Sequence, residues 1–377
     1  MSVLGRYMTR EISSAVLFVL VAFLALFAFF DFIEELDDIG RGGYGVQHAL
    51  AHVLLGLPGY TYELLPIAVL IGAIYALSQF ASHSEFTVMR AAGMGRRRAL
   101  AKVSRLGLLF VLMTAVVGEL LTPAAESMAQ RVRLEALGGT AAAQFRSGVW
   151  LKDTLRDESG EVRSMRFVNV GEVQSSTRVR AMRVFEFDRE FRLRSIVEAD
   201  SARFVAPASW LLTGVTETRY GESRGVESSA TLVSEVRRLP RIEWPSELRP
   251  EILGVLMVRP DRMSAWNLWR YIGHLKGNRQ AAERYEIAFW KKIIYPFAAM
   301  VMLALALPFA YLQARAGGIG YKVFAGIMLG IAFHLLNGLF SHIGLLTTWP
   351  PWLAAATPSI AAFALALVML YGAERVR

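Results

Sequence analysis

Between Val323 and Ala373 the chain carries no Asp, Glu, Lys or Arg. One bilayer crossing takes about 20 apolar residues, so this run is too long for a single span. Pro350-Pro351, within Thr347 to Pro351, is a strong helix stop and divides it into two. Four more spans precede it. Ile12 to Phe30 is uncharged, lacks an A-x-A cleavage site and is longer than a signal-peptide core, so it reads as a span. Leu64 to Ser84 is the second, in a helix that starts near Val53 and contains Pro58, Glu63 and Pro66. Leu106 to Gly118 is the third, continuing past Glu119 to Pro123, and Ile293 to Ala314 is the fourth. Charged residues make up 19% of the chain, against about 25% in soluble proteins. The absence of cysteine excludes disulfides, thiolate nucleophiles and Cys-ligated metal sites.

Basic residues near the span ends set the orientation. Arg6 and Arg10 precede span one, Arg90, Arg96, Arg97, Arg98, Lys102 and Arg105 separate spans two and three, Arg315 and Lys322 separate spans four and five, and Arg375 and Arg377 close the chain. All four groups share one side if both termini are cytoplasmic. That places the middle segment, 134–260, outside the cytoplasm. The formal net charge of +9 then reflects loop orientation and gives no reason to expect nucleic acid.

The middle segment is soluble in character, with 19 basic and 18 acidic residues between Leu134 and Pro260. Alternation from Val179 to Asp188, a polar turn, and a second run from Arg192 to Val197 predict a hairpin. Arg203 to Val205 and Trp210 to Thr213 extend the β pattern. The expected organisation is three membrane helices over 1–133, a β-rich domain over 134–260, and an interfacial helix with three membrane helices over 261–377. The interfacial helix, Met263 to Leu275, offers Trp266, Trp269 and Tyr271 as interface anchors.

Several chemistries are missing. There is no G-x-x-x-x-G-K-[ST], so the chain does not bind ATP through a P-loop, and there is no G-x-S-x-G. His48 and His52 are four apart, but Ala49 stands where H-E-x-x-H needs Glu, so a solvated helix face is the better reading than a metal site. Three classes fit the layout: a transporter permease with a separate ATPase, a membrane scaffold or sensor with a periplasmic β domain, and an intramembrane enzyme using Asp31 and Glu119.

Two features discriminate further. Five carboxylates, Asp31, Glu34, Glu35, Asp37 and Asp38, crowd the outer end of span one. If the helix continues, Asp31, Glu34, Glu35 and Asp38 share a face. In the loop after span two, Ser82 and Glu85 have capping-box spacing and Gly93 is a helix stop, which predicts a short helix with apolar Phe86, Val88 and Met89 at the membrane surface. An ordinary surface loop competes with a docking helix for a cytoplasmic partner.

The same loop, Ser84 to Gly93, resembles the S-E-x-x-x-M-x-A-x-G signature of the LptF/LptG (YjgP/YjgQ) lipopolysaccharide-export permeases. Similar matches follow in order: Phe32 to Gly40 with Gly43-Tyr44; Gly118-Glu119 with Pro123, Glu126, Met128 and Ala129; Gly148 to Trp150 with Lys152-Asp153; Arg284-Tyr285 with Trp290, Lys292 and Pro296; and Gly326 to Gly330. The span-one exit looks more like the LptG branch than the LptF branch.

The resemblance implies a six-helix (3 + 3) α-helical membrane protein with an inserted β-jellyroll-like periplasmic domain, sited in the bacterial inner membrane. It implies an LptF-like permease, two LptB-like ATPase subunits, an LptC-like bridge protein and lipopolysaccharide as partners. ATP and Mg would sit in the ATPase, with no cofactor in this chain. The loop helix around 84–93 would couple to that ATPase through Glu85, Phe86, Met89 and Arg90. Phe27, Phe30 and Phe333 would line the lipid cavity. Asp31, Glu34, Asp37, Asp38, Arg131 and Arg133 would form its charged rim. Relatives place basic residues at the positions of Asp31, Asp37 and Asp38, so the rim is inverted here, while Arg133 matches a basic position suited to phosphate. An acidic rim implies cationic substituents or bridging divalent cations on the lipid.

Overall fold

A computed structural model describes residues 3–83, 85, 96–137, 148–156, 162–175, 177–188, 190–205, 209–224, 230–246, 248, 250, 259–277, 280–311, 318–347 and 349–375. Among the described residues, six helices are long and apolar enough to cross a membrane: Gly5–Leu36, Val46–Ser82, Val103–Arg133, Glu283–Phe309, Ile319–Leu346 and Pro351–Gly372. They are spans one to six below. Spans five and six part at the Pro350-Pro351 break, and Pro351 opens the sixth helix, where its missing N–H costs nothing.

Span two is the centre of the bundle. Its residues from Leu64 to Ile74 are buried without interruption, so it is apolar around its whole circumference. Close approach by its neighbours depends on glycine. A Cβ on Gly72 would lie 2.6 Å from the Val16 backbone of span one. On span five, Gly326 and Gly330 meet Ile74 and Ile67 of span two. Small residues let membrane helices pack backbone to backbone, where apolar burial against lipid gains little. This approach buries the Gly326, Gly330, Phe333 and Asn337 face of span five.

The predicted hairpin is present. β3 (Arg178–Phe187) pairs antiparallel with β4 (Leu193–Val205) and Phe187 lies opposite Leu193. With β1 (Val149–Arg156), β2 (Val162–Ser175), β5 (Ser209–Arg224) and β6 (Ala230–Pro245) they make one antiparallel sheet in sequential order. The ladder skips a row that crosses the sheet through Gly171, Ala181, Asp200, Gly214 and Pro240. On β4 the buried positions Ser195, Val197 and Ala199 give way to Ala202, so the alternation slips by one at this row. Ala181 and Gly214 have positive φ, and Asp200 lies where a Gly214 Cβ would stand. The row is therefore a kink that folds the sheet around a core containing Trp210, Leu212 and Trp244.

The interfacial helix, Ala265–Gly277, buries Leu268, Tyr271, Ile272 and Leu275. Trp266 and Trp269 stack 5.2 Å apart on its exposed face, as interface anchors would. Tyr271 departs from that expectation, because it packs edge-on against Tyr285, 4.6 Å away, inside the protein.

The glycine contact gives a test. Gly72→Leu should destabilise the chain by about 2 kcal/mol, the cost of overpacking a tight contact. Gly273→Ala, whose Cβ meets nothing within 4 Å, should leave thermal unfolding in detergent unchanged or raised. Equal melting temperatures for Gly72→Leu and the parent would contradict the packing.

Candidate functional site

The first helix runs on to Leu36, so it carries Asp31, Glu34 and Glu35 beyond the apolar run, and Asp37 and Asp38 lie in the turn after it. The turn folds back onto the end of span three, where the Gly43 amide donates to the Ala136 carbonyl at 2.8 Å. Tyr44, buried at this junction, donates its hydroxyl to Glu35 at 2.6 Å. Burial and that bond push the Tyr44 hydroxyl above the usual tyrosine range, which keeps it a donor.

Glu35 is the hub. Arg133, from the end of span three, donates to it at 3.0 Å. The same guanidinium reaches Asp38 with its other terminal nitrogen, and Arg41 pairs with Asp38 at 2.5 Å. His52 of span two places Nε2 3.6 Å from Glu35. The ends of spans one and three, the turn and the start of span two thus converge on one carboxylate. A buried charge is tolerated only when paired and hydrogen-bonded, and this one is. His48, four residues before His52, accepts the Gly45 amide at 3.1 Å and caps span two. Neither histidine has the solvated role expected from the sequence, and no group able to hold a metal ion occurs among the described residues.

Asp31 has a different partner. It accepts the Tyr60 hydroxyl of span two at 2.6 Å. The guanidinium of Arg262 lies over the Tyr60 ring, 4.9 Å from its centroid, and pairs with Glu63 at 3.2 Å. Gly59 makes this possible, since a Cβ there would fall on the Arg262 guanidinium. Glu119 sits in a π-helical turn, Val117–Leu121, and accepts the first amide of the interfacial helix, Ala265, at 2.9 Å. Glu63 and Glu119 therefore act as partners of Arg262 and of a helix N-terminus.

Of the expected rim, Asp38 and Arg133 come together around Glu35, which was not among those residues; Asp31 lies with Tyr60, and Glu34, Asp37 and Arg131 are exposed. Phe30 is exposed and Phe27 packs against Tyr60, their centroids 5.2 Å apart. Phe333 does not line an open face. It is 4% exposed, because the glycine contacts of span five turn it inward toward Tyr295. Glu85 lies 4.0 Å from His83, whereas Phe86, Met89 and Arg90 lie outside the described residues. Sequence reasoning missed Glu35 as hub, Tyr44, His52 and Arg262. Tyr44 was in view only through the resemblance, and no short-range pattern links Arg262 to span two.

The chain matches the family described as lipopolysaccharide export system permease LptF/LptG over residues 6–372. It is 29% identical over 369 residues to the lipopolysaccharide export system permease protein LptG of Escherichia coli K12, covering 98% of each chain. It is also 29% identical over 360 residues to the protein of that name from Haemophilus influenzae, covering 95% of each.

The hub makes a double-mutant prediction. Arg133→Met strands Glu35 and should cost about 2–3 kcal/mol, toward the low end for breaking a buried pair. Adding Glu35→Gln should recover part of that loss, giving a clear coupling energy in detergent unfolding. Additive effects of the two changes would show that the pair is not coupled.

Proposed function

The chain belongs to the LptF/LptG family of lipopolysaccharide export permeases, and on that premise we propose that it is the LptG-type subunit that lifts lipopolysaccharide out of the inner membrane. The family and the six-span layout with an inserted β domain make it a multi-pass membrane transport subunit. In this reading both termini are cytoplasmic and the β domain is periplasmic. The chain pairs with an LptF-like permease over two LptB-like ATPases and hands lipid through its β domain to an LptC-like bridge.

The observation that carries the mechanism is the grip of Glu35 and Asp38 on Arg133. Arginine binds carboxylate and phosphate with the same planar donor fork. A lipid phosphate arriving at the rim competes with the two carboxylates for Arg133. At rest the carboxylates hold both terminal nitrogens of Arg133 and keep the rim closed, while its buried Nε is left without a partner. Exchange of partners opens the contact between spans one and three as lipid passes. Glu34 and Asp37, exposed beside the grip, receive cationic substituents or bridging divalent cations on the same lipid. ATP hydrolysis in the partner drives the cycle through the loop after span two, with Glu85, Phe86, Met89 and Arg90 as the contact.

Two measurements test this. A benzophenone at position 30 or 31 should capture lipopolysaccharide in the assembled transporter, and no capture in an export-competent complex would refute the cavity. Glu85→Ala and Arg90→Glu should each loosen the ATPase during purification. Unchanged association and ATPase coupling in both would remove the loop from the contact.

A further inference from the structure

A second polar site lies apart from the rim, between spans four and five. We propose that it binds a lipid-borne phosphate ester in the membrane half nearer the β domain.

The site is a cavity of about 470 Å³, a volume suited to a headgroup. Span four contributes Arg284 and Lys291, seven apart on one helical face, together with Lys292. Arg259, just before the short turn at Pro260–Arg262, adds a fourth cation. Facing them, span five presents His334, Asn337, Ser341 and His342, a polar stripe at helical spacing along an otherwise apolar span.

Charge and hydrogen bonding identify the class of ligand. Two carboxylates, Glu63 and Asp261, also line the cavity, but Glu63 is already paired with Arg262 at 3.2 Å. Arg259, Arg284 and Lys291 have no ion-pair partner among the described residues. Lys292 lies over the Tyr62 ring at 4.6 Å and reaches only a backbone carbonyl, that of Asp261, at 3.4 Å. Asn337 and Ser341 are already bonded within span five, Asn337 donating to the Phe333 carbonyl and Ser341 to the Asn337 carbonyl. Four cations therefore face two carboxylates, one of them already paired, and the lining is left with an excess of positive charge. Lysine and arginine offer donors and no acceptors, so they select an anion rich in oxygen acceptors. Ionisable groups at membrane depth are costly and are kept for a ligand or a path. His334, His342 and Leu345 of span five, which line the cavity, are exposed, so the cavity is open on that side of the chain. A phosphate attached to a lipid reaches this opening with its chains still in the bilayer.

Resident phospholipid and lipid A both supply that chemistry, and the proposal does not depend on which lipid is exported. The test uses the full chain with its partner subunits in micelles of a phosphate-free maltoside detergent, with a benzophenone at position 342. One set contains phosphatidylglycerol, a second bis-phosphorylated lipid A, and a third lipid A stripped of phosphate. The phosphorylated lipid should be captured and the stripped lipid should not. Arg284→Gln/Lys291→Gln should reduce capture roughly tenfold, as expected for losing charge-assisted hydrogen bonds, while Arg284→Lys/Lys291→Arg should retain most of it. A benzophenone at Leu335, an exposed apolar position on the same helix, should label stripped and phosphorylated lipid A alike. Capture with phosphatidylglycerol alone assigns the site to resident phospholipid, and capture only with lipid A assigns it to the transported lipid. Capture of stripped lipid A as strong as that of either phosphorylated lipid at position 342, or capture of none of the three, overturns the proposal, and the native chain alone decides this even if the double variant fails to assemble.

Discussion

Glu35 is a charge at the end of a membrane helix, and the surrounding structure is arranged to satisfy it. Tyr44, Arg133 and His52 come from three different parts of the chain, and each is directed at that carboxylate. Removing any one leaves the others organised around an anion with less support, so the contact ties spans one, two and three together at one end. Asp38 extends the contact by holding the same guanidinium from the turn. Ion pairs on open surfaces contribute little, but one that is mostly withdrawn from water and shares its partners sets geometry.

This changes what the acidic cluster means. Five carboxylates in a row suggest a strong negative field at the exit. Two of them are instead consumed by Arg133, Arg41 and Tyr44, and a third by Tyr60. Pairing with Arg133 and Arg41 lowers the negative charge of the patch without cancelling it, and Glu34 and Asp37 stay exposed at its edge. In the proposed mechanism a patch with less negative charge repels a phosphate less, and Arg133 is the group that would meet one at contact. The paired carboxylates and Arg133 belong to one arrangement.

The membrane layout was legible because hydropathy and Pro-Pro punctuation act locally. The β3–β4 hairpin was legible for the same reason, through residue alternation. The sheet's kink was not, because Ala181 and Asp200 look like ordinary strand residues until Gly171, Gly214 and Pro240 are seen to fall in one row. Phe333 was misplaced because a phenylalanine on a membrane helix reads the same facing lipid or facing protein. Only the glycine contacts of span five with Ile67 and Ile74 decide it. At the site, Arg133 and the carboxylates were in view as separate charges. Their pairing, and the roles of His52 and Arg262, depend on contacts between residues far apart in sequence, such as Arg262 with Gly56. Spacing rules carry no information on those.

In the proposed mechanism, carboxylate and phosphate compete for Arg133. The chain has no native cysteine to interfere with single-site labelling, and Arg131 is exposed beside the contact. The most direct measurement is lipopolysaccharide capture from a photocrosslinker at position 131, compared between the parent and Glu35→Gln/Asp38→Asn in the assembled transporter. Competition predicts greater capture once the carboxylates are neutralised, because the arginine is then free for phosphate. Equal or weaker capture would contradict it.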